Sequence, residues 1–240
     1  MNRIVSLYWN NIDPCVVATQ RDVFSHFGLE IAQREQTGVN HGDFLDACMT
    51  EAGEDDIVLM VDIDCFPLNR EIVDRAFQAA SEGRIFGCAQ TFGVDRDKIY
   101  VGPMFLAIAR RTWDRLGRPS FTHDAHYDVA QRVNEAAMKA DVPIELLYPW
   151  ATIVPKWRLG DIALFGVGTF YKGGVFHLFE SRRTRFRFIL FDVAEAILND
   201  RPVDYGALMR KAAALRGDSR WAQRFARWKG KIWRLLGRES

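Results

Sequence analysis

The chain has 240 residues, of which 48% are hydrophobic and 26% charged, enough for one domain with a sizeable core. No apolar run approaches the roughly 18 residues of a membrane-spanning helix, and no secretory signal is visible. These features favour a globular cytoplasmic protein. The four cysteines, Cys15, Cys48, Cys65 and Cys88, have no Cys-x-x-Cys spacing, so we expect mostly buried, reduced thiols.

The first half of the chain alternates between predicted strands and helices. Strands are predicted at residues 3–9, 29–33, 57–61 and 84–90, with helices between them at residues 15–27, 42–52 and 70–81. This order predicts an α/β fold with a mostly parallel sheet flanked by helices.

The second half is less regular. Further strands are predicted at residues 100–109, 144–147, 163–167 and 175–179, and helices at residues 111–116, 125–140 and 185–198. We expect the main domain to cover residues 1–200 and a basic amphipathic helical extension to cover residues 206–240.

The chain is organised around a buried strand that ends in two carboxylates. Residues 57–61 form an unbroken apolar run, followed at once by Asp62 and Asp64, with Pro67 just beyond. In open α/β sheets the carboxyl edge of the strands is where ligands bind. Two carboxylates there predict a site for Mn²⁺ or Mg²⁺ and a diphosphate, although Asp is also common in plain strand-end turns.

Three stretches together resemble the GT-A-fold, nucleotide-sugar-dependent glycosyltransferases of bacterial type. Asp62-Ile63-Asp64 is similar to the Asp-x-Asp motif of those enzymes. Residues 101–108 are similar to their Gly-Pro strand beside the acceptor site, and residues 166–179 to their C-terminal segment with a metal-binding His. The resemblance covers about residues 1–185 and implies a GT-A-like, Rossmann-like fold, with Asp62, Asp64 and His177 at the metal.

Two loops at the same sheet edge are candidates for donor binding. Tyr8, Asn10 and Asn11 follow the first strand, where the resembled fold contacts the nucleobase; the alternative is a capping turn. His41 follows the second strand, where related enzymes contact the ribose or diphosphate, and the alternative is a helix-capping loop. Asp62 itself is a second candidate for the ribose.

Candidates for the sugar and acceptor come from the second half of the chain. Gly102 and Pro103 interrupt an apolar strand, which predicts a bulge, and we expect it to line the sugar or acceptor pocket. An inverting transferase needs one general base, and a carboxylate within hydrogen-bond reach of the acceptor hydroxyl suffices. In the resembled enzymes of the inverting type, an Asp or Glu at the start of a helix in this region has that role. Asp128 is the first candidate and Asp124 the second; either is also explained as a helix-capping residue.

Charge is distributed unevenly. Residues 206–240 contain ten Lys or Arg against two acidic residues and carry +8, which leaves −7 on the rest of the chain. Apolar residues at helical spacing line one face of residues 220–236, beside a cationic stripe. This pattern is typical of a helix lying on an anionic membrane, and a helix docked on the body is the alternative. We expect no nucleic-acid partner.

The carboxylate pair and the resemblance together imply a metal-dependent glycosyltransferase of hexosyltransferase type. It would move a sugar from a nucleoside diphosphate sugar to a glycan or lipid-linked acceptor, and would be cytoplasmic or peripheral on the inner face of the cytoplasmic membrane. Two alternatives remain: a nucleotidyltransferase on a related fold, and a non-catalytic membrane- or partner-binding protein.

Overall fold

The computed structural model describes residues 1–92, 95–182 and 185–216. The chain divides into two compact units between Pro202 and Val203, and each is described by itself. The first unit is an α/β structure whose main sheet is mostly parallel and flanked by helices, so the predicted fold class is confirmed.

Ten strands and six helices of the first unit have these bounds. The strands are β1 (Asn2–Tyr8), β2 (Ala32–Glu35), β3 (Ile57–Val61), β4 (Cys65–Pro67), β5 (Ile85–Phe92), β6 (Asp95–Ala109), β7 (Ile144–Leu147), β8 (Pro149–Leu159), β9 (Ala163–Tyr171) and β10 (Val175–His177). The helices are α1 (Pro14–His26), α2 (His41–Glu51), α3 (Glu71–Ser81), α4 (Arg110–Arg115), α5 (Gln131–Lys139) and α6 (Phe188–Leu198).

The main sheet has six strands in the order β2-β1-β3-β6-β5-β7. Five of them run in the same direction, and β6 lies antiparallel between β3 and β5. Every residue of β3 is buried, as expected for a central strand covered on both faces. The carboxyl ends of β1 and β3 therefore lie side by side at one edge of the sheet.

Helices cover the sheet with apolar faces. Phe44, Leu45, Cys48 and Met49 of α2 are buried and share one hydrophobic cluster with residues of β1, β3 and β6, as their helical spacing predicts. Trp113 of α4 lies in the same cluster.

The cysteines differ in exposure. Cys15 is exposed, whereas Cys48, Cys65 and Cys88 are buried. Burial raises the pKa of the Cys65 thiol, which makes that thiol unreactive.

A second, smaller sheet was not predicted. It is antiparallel in the order β4-β10-β9-β8. Strands β4 and β8 were not predicted from the sequence. Strand β4 is only three residues long, and Pro149 and Pro155 are unfavourable in a regular strand such as β8. This sheet brings β10 against β4, directly after the Asp62–Asp64 turn.

The helix predicted at residues 125–140 is shorter than expected. It begins at Gln131. The preceding residue, Ala130, has a φ of 68°, a left-handed conformation that cannot belong to the helix, so the loop extends to Ala130. Asp124 and Asp128 thus lie in this loop and not in the first turn of the helix.

In the second unit the structure describes helix α7 (Tyr205–Arg216). The predicted membrane-binding segment, residues 220–236, lies outside the described residues. Among the residues that are described, no helix is long and apolar enough to span a bilayer.

Candidate metal and donor site

The turn after β3 presents the two carboxylates. The Asp62 amide donates to the Met104 carbonyl of β6 at 3.1 Å, and the Cys65 amide donates to the Asp62 carbonyl at 2.9 Å. The chain then enters β4. The turn is therefore anchored to the main sheet at one end and to the small sheet at the other.

A buried amide from α1 holds this turn in place. Nε2 of Gln20, a residue with no exposed surface, donates to the carbonyls of Asp62 and Cys65 at 2.7 and 2.8 Å. Nε2 of Gln33 donates in turn to Oε1 of Gln20 at 2.9 Å. Sequence reasoning missed Gln20; a Gln among the buried positions of an amphipathic helix was the available signal.

His177 reaches the carboxylates through strand pairing. In the antiparallel pair of β10 and β4, His177 lies opposite Cys65, next to Asp64 in the chain. Its Nε2 is 3.1 Å from Oδ1 of Asp64 and 3.6 Å from Oδ2 of Asp62. His177 is 3% exposed and Asp64 8%, whereas the Asp62 side chain is 26% exposed. The cluster is thus buried on the protein side and opens through Asp62.

This donor set fits a divalent cation. One ligand atom each from Asp62, Asp64 and His177 lies within 4.8 Å of the others. Two carboxylates and an imidazole suit Mn²⁺, and less well Mg²⁺, which prefers oxygen ligands alone. The Nδ1 atom of His177 is buried without a partner among the described residues, so the ring is positioned by its strand and by Asp64.

The two carboxylates differ in acidity. Burial raises the pKa of Asp62, and the charge of Asp64 adds to this, while His41 and His177 oppose it. Burial also disfavours ionised Asp64, but His177 and the hydroxyl of Ser181 hold the pKa of Asp64 below its usual range. Without a cation, Asp64 ionises readily, whereas ionisation of Asp62 beside it is unfavourable.

His41 lies at the rim of the same cluster. It is the first residue of α2, and its Nε2 is 3.4 Å from Oδ1 of Asp62. Asn40 caps the helix by accepting from the Gly42 amide at 3.0 Å. Gly42 is needed for packing against the protein, since a Cβ there would lie 2.3 Å from the Cα of Thr122. The close approach at Gly42 is therefore to the chain itself and not to a ligand.

The loop after β1 divides into two parts. Tyr8 and Trp9 line a cleft above the carboxylates, and Nε1 of Trp9 donates to the Val39 carbonyl at 3.0 Å. Asn10 and Asn11 are exposed in the following turn and do not line this cleft; the Asn10 amide donates to Oγ1 of Thr37 at 2.9 Å. The aromatic part of the loop therefore faces the site.

The cleft has a volume of about 610 Å³, within the range of small-molecule sites. It joins the ends of β1 and β3 to the loop before α5 and the segment after β10. Its lining residues, among those described, are Leu7, Tyr8, Trp9, His41, Asp62, Ile63, Asp64, Gln90, Pro103, Asp128, Val129, His177, Phe179, Glu180, Ser181 and Arg182. The guanidinium of Arg182 lies 5.0 Å from the centre of the Trp9 ring.

The predicted bulge is present at Gly102 and Pro103. The pairing of β5 and β6 shifts register between Gly87 and Ala89, opposite this stretch of β6. Pro103 lines the cleft. Gly102 does not, because its Cα faces the Met104 and Gln90 side chains, and a Cβ would lie 2.6 Å from the Met104 sulfur.

The two candidate bases have different surroundings. Asp128 lines the cleft, and its Oδ2 accepts from the Tyr100 hydroxyl at 2.5 Å and from Nε2 of Gln90 at 3.1 Å. Asp124 is exposed outside the cleft, where it accepts from the amides of His126 and Tyr127 and pairs with Arg132. These contacts, the His126 amide above all, lower the pKa of Asp124.

Three further cleft residues were not predicted from the sequence. Gln90 lies at the end of a predicted strand, Ser181 contacts Asp64, and the ring of Phe179 lies 3.9 Å from that of His177. Proximity to His177 in the chain was the only available signal for Phe179 and Ser181. For Gln90 the sequence contained no signal, because polar residues are common at strand ends whether or not they have a function.

No protein-family model matches the chain, and no curated protein matches it. Among solved structures it is similar to a mannosyltransferase from Pyrobaculum calidifontis in complex with GDP-Man and Mn²⁺, with a TM-score of 0.43 and 15% identity over 95% of this chain and 79% of that one. It is also similar to the catalytic domain of Drosophila β1,4-galactosyltransferase 7, with a TM-score of 0.41 and 12% identity over 60% of this chain and 63% of that one.

A third similar structure is a putative glucose-1-phosphate thymidylyltransferase from Bacillus anthracis, with a TM-score of 0.40 and 10% identity over 62% of this chain and 87% of that one. At these identities the likenesses concern the fold alone. The chain matches less than two thirds of the galactosyltransferase chain.

Proposed function

We propose that the protein is a metal-dependent glycosyltransferase that moves a sugar from a nucleoside diphosphate sugar to a glycan or lipid-linked acceptor. The observation that carries the proposal is the convergence of Asp62, Asp64 and His177 at the floor of a cleft that Asp128 also lines. Residues 1–200 would be the catalytic domain, and residues 206–240 an extension.

In this proposal Asp62, Asp64 and His177 hold Mn²⁺ or Mg²⁺. A divalent cation there offsets the negative charge that develops on the diphosphate as it leaves the sugar. Asp62, the more exposed carboxylate, faces the donor, while buried Asp64 and His177 fix the position of the site. His41 keeps the Asp62 carboxylate oriented from the other side.

The donor would occupy the part of the cleft between β1 and the segment after β10. Tyr8 and Trp9 offer aromatic faces for a nucleobase. The guanidinium of Arg182 suits a diphosphate because two of its N–H groups can donate hydrogen bonds to the same phosphate. The contact of Arg182 with the Trp9 ring places both groups on one wall. Asn10 and Asn11, which lie outside the cleft, are left with a role in the turn.

The acceptor would lie on the side of Asp128. If the transfer inverts the anomeric carbon, Asp128 takes the proton of the acceptor hydroxyl. Tyr100 and Gln90 both donate to its Oδ2, and the Val129 amide donates to Oδ1 at 2.8 Å. These donors orient the carboxylate, and each oxygen retains room for a further hydrogen bond.

The proposal is tested by thermal unfolding against a panel of nucleoside diphosphates, each with and without Mn²⁺. A ligand at about 100 times its dissociation constant adds roughly 2.7 kcal/mol to the free energy of unfolding. We expect such a shift with one nucleotide only when Mn²⁺ is present, and its loss in Asp64→Ala. The matched control is Asp161→Ala, which removes a fully exposed carboxylate.

The reaction class is then decided by the product. Incubation with the nucleoside diphosphate sugar of the selected base should release the nucleoside diphosphate, as the sugar passes to an acceptor hydroxyl or to water. Release of pyrophosphate from a nucleoside triphosphate and a sugar phosphate would instead identify a nucleotidyltransferase. Absence of any metal-dependent nucleotide shift would contradict both activities.

A further inference from the structure

A second cavity lies beside the donor cleft, under strands β8 and β9. Its volume is about 300 Å³, at the small end of the range for ligand sites. The lining residues among those described are Gln90, Thr91, Lys156, Trp157, Arg158, Phe165 and Phe179. Gln90 and Phe179 also line the cleft, so the two spaces are adjoining.

One wall of this cavity is aromatic. The Trp157 ring lies 5.3 Å from Phe165 and 5.5 Å from Phe179, measured between ring centres, and Phe165 lies 5.5 Å from Phe179. These packed rings form a rigid apolar surface, of which Trp157 and Phe179 are only half-buried. Such a surface suits the C–H face of a sugar ring. Phe179 in turn contacts His177, a member of the proposed metal site, with their ring centres 3.9 Å apart.

Gln90 connects the cavity to the candidate base. Its Nε2 donates to Oδ2 of Asp128 and to the Tyr100 hydroxyl, while the residue lines both spaces. A molecule seated on the aromatic wall can therefore present a hydroxyl toward the side of the cleft where Asp128 lies.

The cavity also has cationic lining residues, and Nζ of Lys156 lies 5.6 Å from the centre of the Trp157 ring. Lys156 and Arg158 line the cavity, and no carboxylate does so among the described residues. Lys156 is paired with Glu180. Arg158 is 3.6 Å from Asp161, whose side chain is fully exposed, and such exposed pairs are weak. The Arg158 guanidinium is thus available to an anion, and its planar donors match a carboxylate or phosphate.

We propose that this cavity binds the acceptor, and that the acceptor is a sugar carrying an anionic substituent, either a carboxylate or a phosphate. The inference rests on the proposed transfer function and specifies its acceptor. The sugar ring lies on Trp157 and Phe179, the anion faces Arg158, and the reacting hydroxyl points to Asp128.

The test uses the gluco, galacto and manno series of hexoses. Within each series it compares three probes: the neutral methyl glycoside, the corresponding uronic acid glycoside and the 6-phosphate of the glycoside. Binding is measured by saturation-transfer NMR and calorimetry with Mn²⁺ and the selected nucleoside diphosphate present. A charge-assisted hydrogen bond of about 1.5–3 kcal/mol predicts that an anionic probe binds about tenfold or more tightly than its neutral counterpart. The uronic acid and phosphate arms decide which anion is preferred.

Variants locate the site. Arg158→Gln should reduce the preference for the anionic probe to about twofold or less, and Trp157→Ala should weaken all three probes. The controls are Arg115→Gln, an exposed arginine of α4, and Trp150→Ala, a partly exposed tryptophan of the same strand β8; both should bind the probes as the wild type does. The nucleotide shift with Mn²⁺ must persist in every variant, which verifies folding.

Two negative results have different meanings. If the nucleotide binds with Mn²⁺ but anionic and neutral probes bind equally, or none binds, the acceptor assignment is wrong and the transfer function stands. If wild type shows no metal-dependent nucleotide binding, the proposed function itself is wrong. An anionic preference that survives Arg158→Gln would also overturn the assignment.

Discussion

Nε2 of His177 lies 3.1 Å from Oδ1 of Asp64, although the two residues are 113 positions apart in the chain. The contact depends on the small antiparallel sheet, in which β10 runs beside β4. Asp64 precedes β4 by one residue and His177 ends β10. The geometry of the candidate metal site therefore depends on the second sheet as much as on the main one.

Asp62 should lower the stability of the protein when no cation is bound. Because burial raises the pKa of Asp62 above its unfolded value, the folded state binds this proton more tightly, and the ionised carboxylate destabilises it at neutral pH. We expect Asp62→Asn to raise the melting temperature in a chelator at pH 7, and to lose most of the further rise that Mn²⁺ gives the wild type.

The pH dependence supplies the control. Below the unfolded pKa of about 3.9, Asp62 is protonated in both states. The stability advantage of Asp62→Asn in the chelator should therefore be present at pH values above the folded-state pKa of Asp62. It should disappear as the pH falls from the folded-state pKa towards the unfolded-state pKa. An advantage that is constant with pH, or a variant less stable than wild type at pH 7, would contradict this account.

Gln20 should act on metal binding without touching the metal. Gln20→Leu leaves the buried carbonyls of Asp62 and Cys65 without a donor, at a cost of about 1–3 kcal/mol for each group. Loss of an outer support of this kind lowers metal affinity by about 10- to 100-fold. Calorimetry with Mn²⁺ and thermal unfolding measure the two effects. Gln78→Leu, at an exposed position of α3, is the control, and equal Mn²⁺ affinity in both variants would refute the role.

The sequence predicted the centre of the site because its signals are local. The apolar run of β3 and the Asp62–Asp64 pair are contiguous, so both the buried strand and the carboxylates at its end follow from residues 57–64. The predicted bounds of β3 and β7 agree with the structure. His177 was placed at the metal by resemblance only, since nothing in residues 175–179 indicates pairing with β4.

The rest depended on contacts between distant segments. Strand β8 escaped prediction because Pro149 and Pro155 are tolerated at the edge of the small sheet. The start of α5 was misplaced because Asp124 looks like a helix cap, whereas it accepts from the amides of His126 and Tyr127 in a separate turn. Trp157 and Arg158 were not singled out, because the cavity that they line forms only when β8 packs beside β5.

Gly42 should be intolerant of a side chain. A Cβ there would lie 2.3 Å from the Cα of Thr122, a contact with backbone that cannot move without shifting α2. We expect Gly42→Ala to lower the free energy of unfolding by about 1–3 kcal/mol, the usual cost of overpacking, and to weaken Mn²⁺ binding because His41 begins the same helix. Gly53→Ala, where the nearest atom is 3.5 Å away, should be close to neutral in chemical denaturation.

Asp128 and Asp124 can be separated by activity. If Asp128 is the general base, Asp128→Asn should keep the metal-dependent nucleotide shift and lower the transfer rate by about 10²- to 10⁴-fold. Asp124→Asn, in the same loop but outside the cleft, should transfer at close to the wild-type rate. Tyr100→Phe removes one donor to Asp128 and should have an intermediate effect on the rate. Loss of transfer in Asp124→Asn alone would exchange the two roles. Full activity in both Asn variants would mean that no carboxylate base acts here, as expected of a transferase that retains the anomeric configuration.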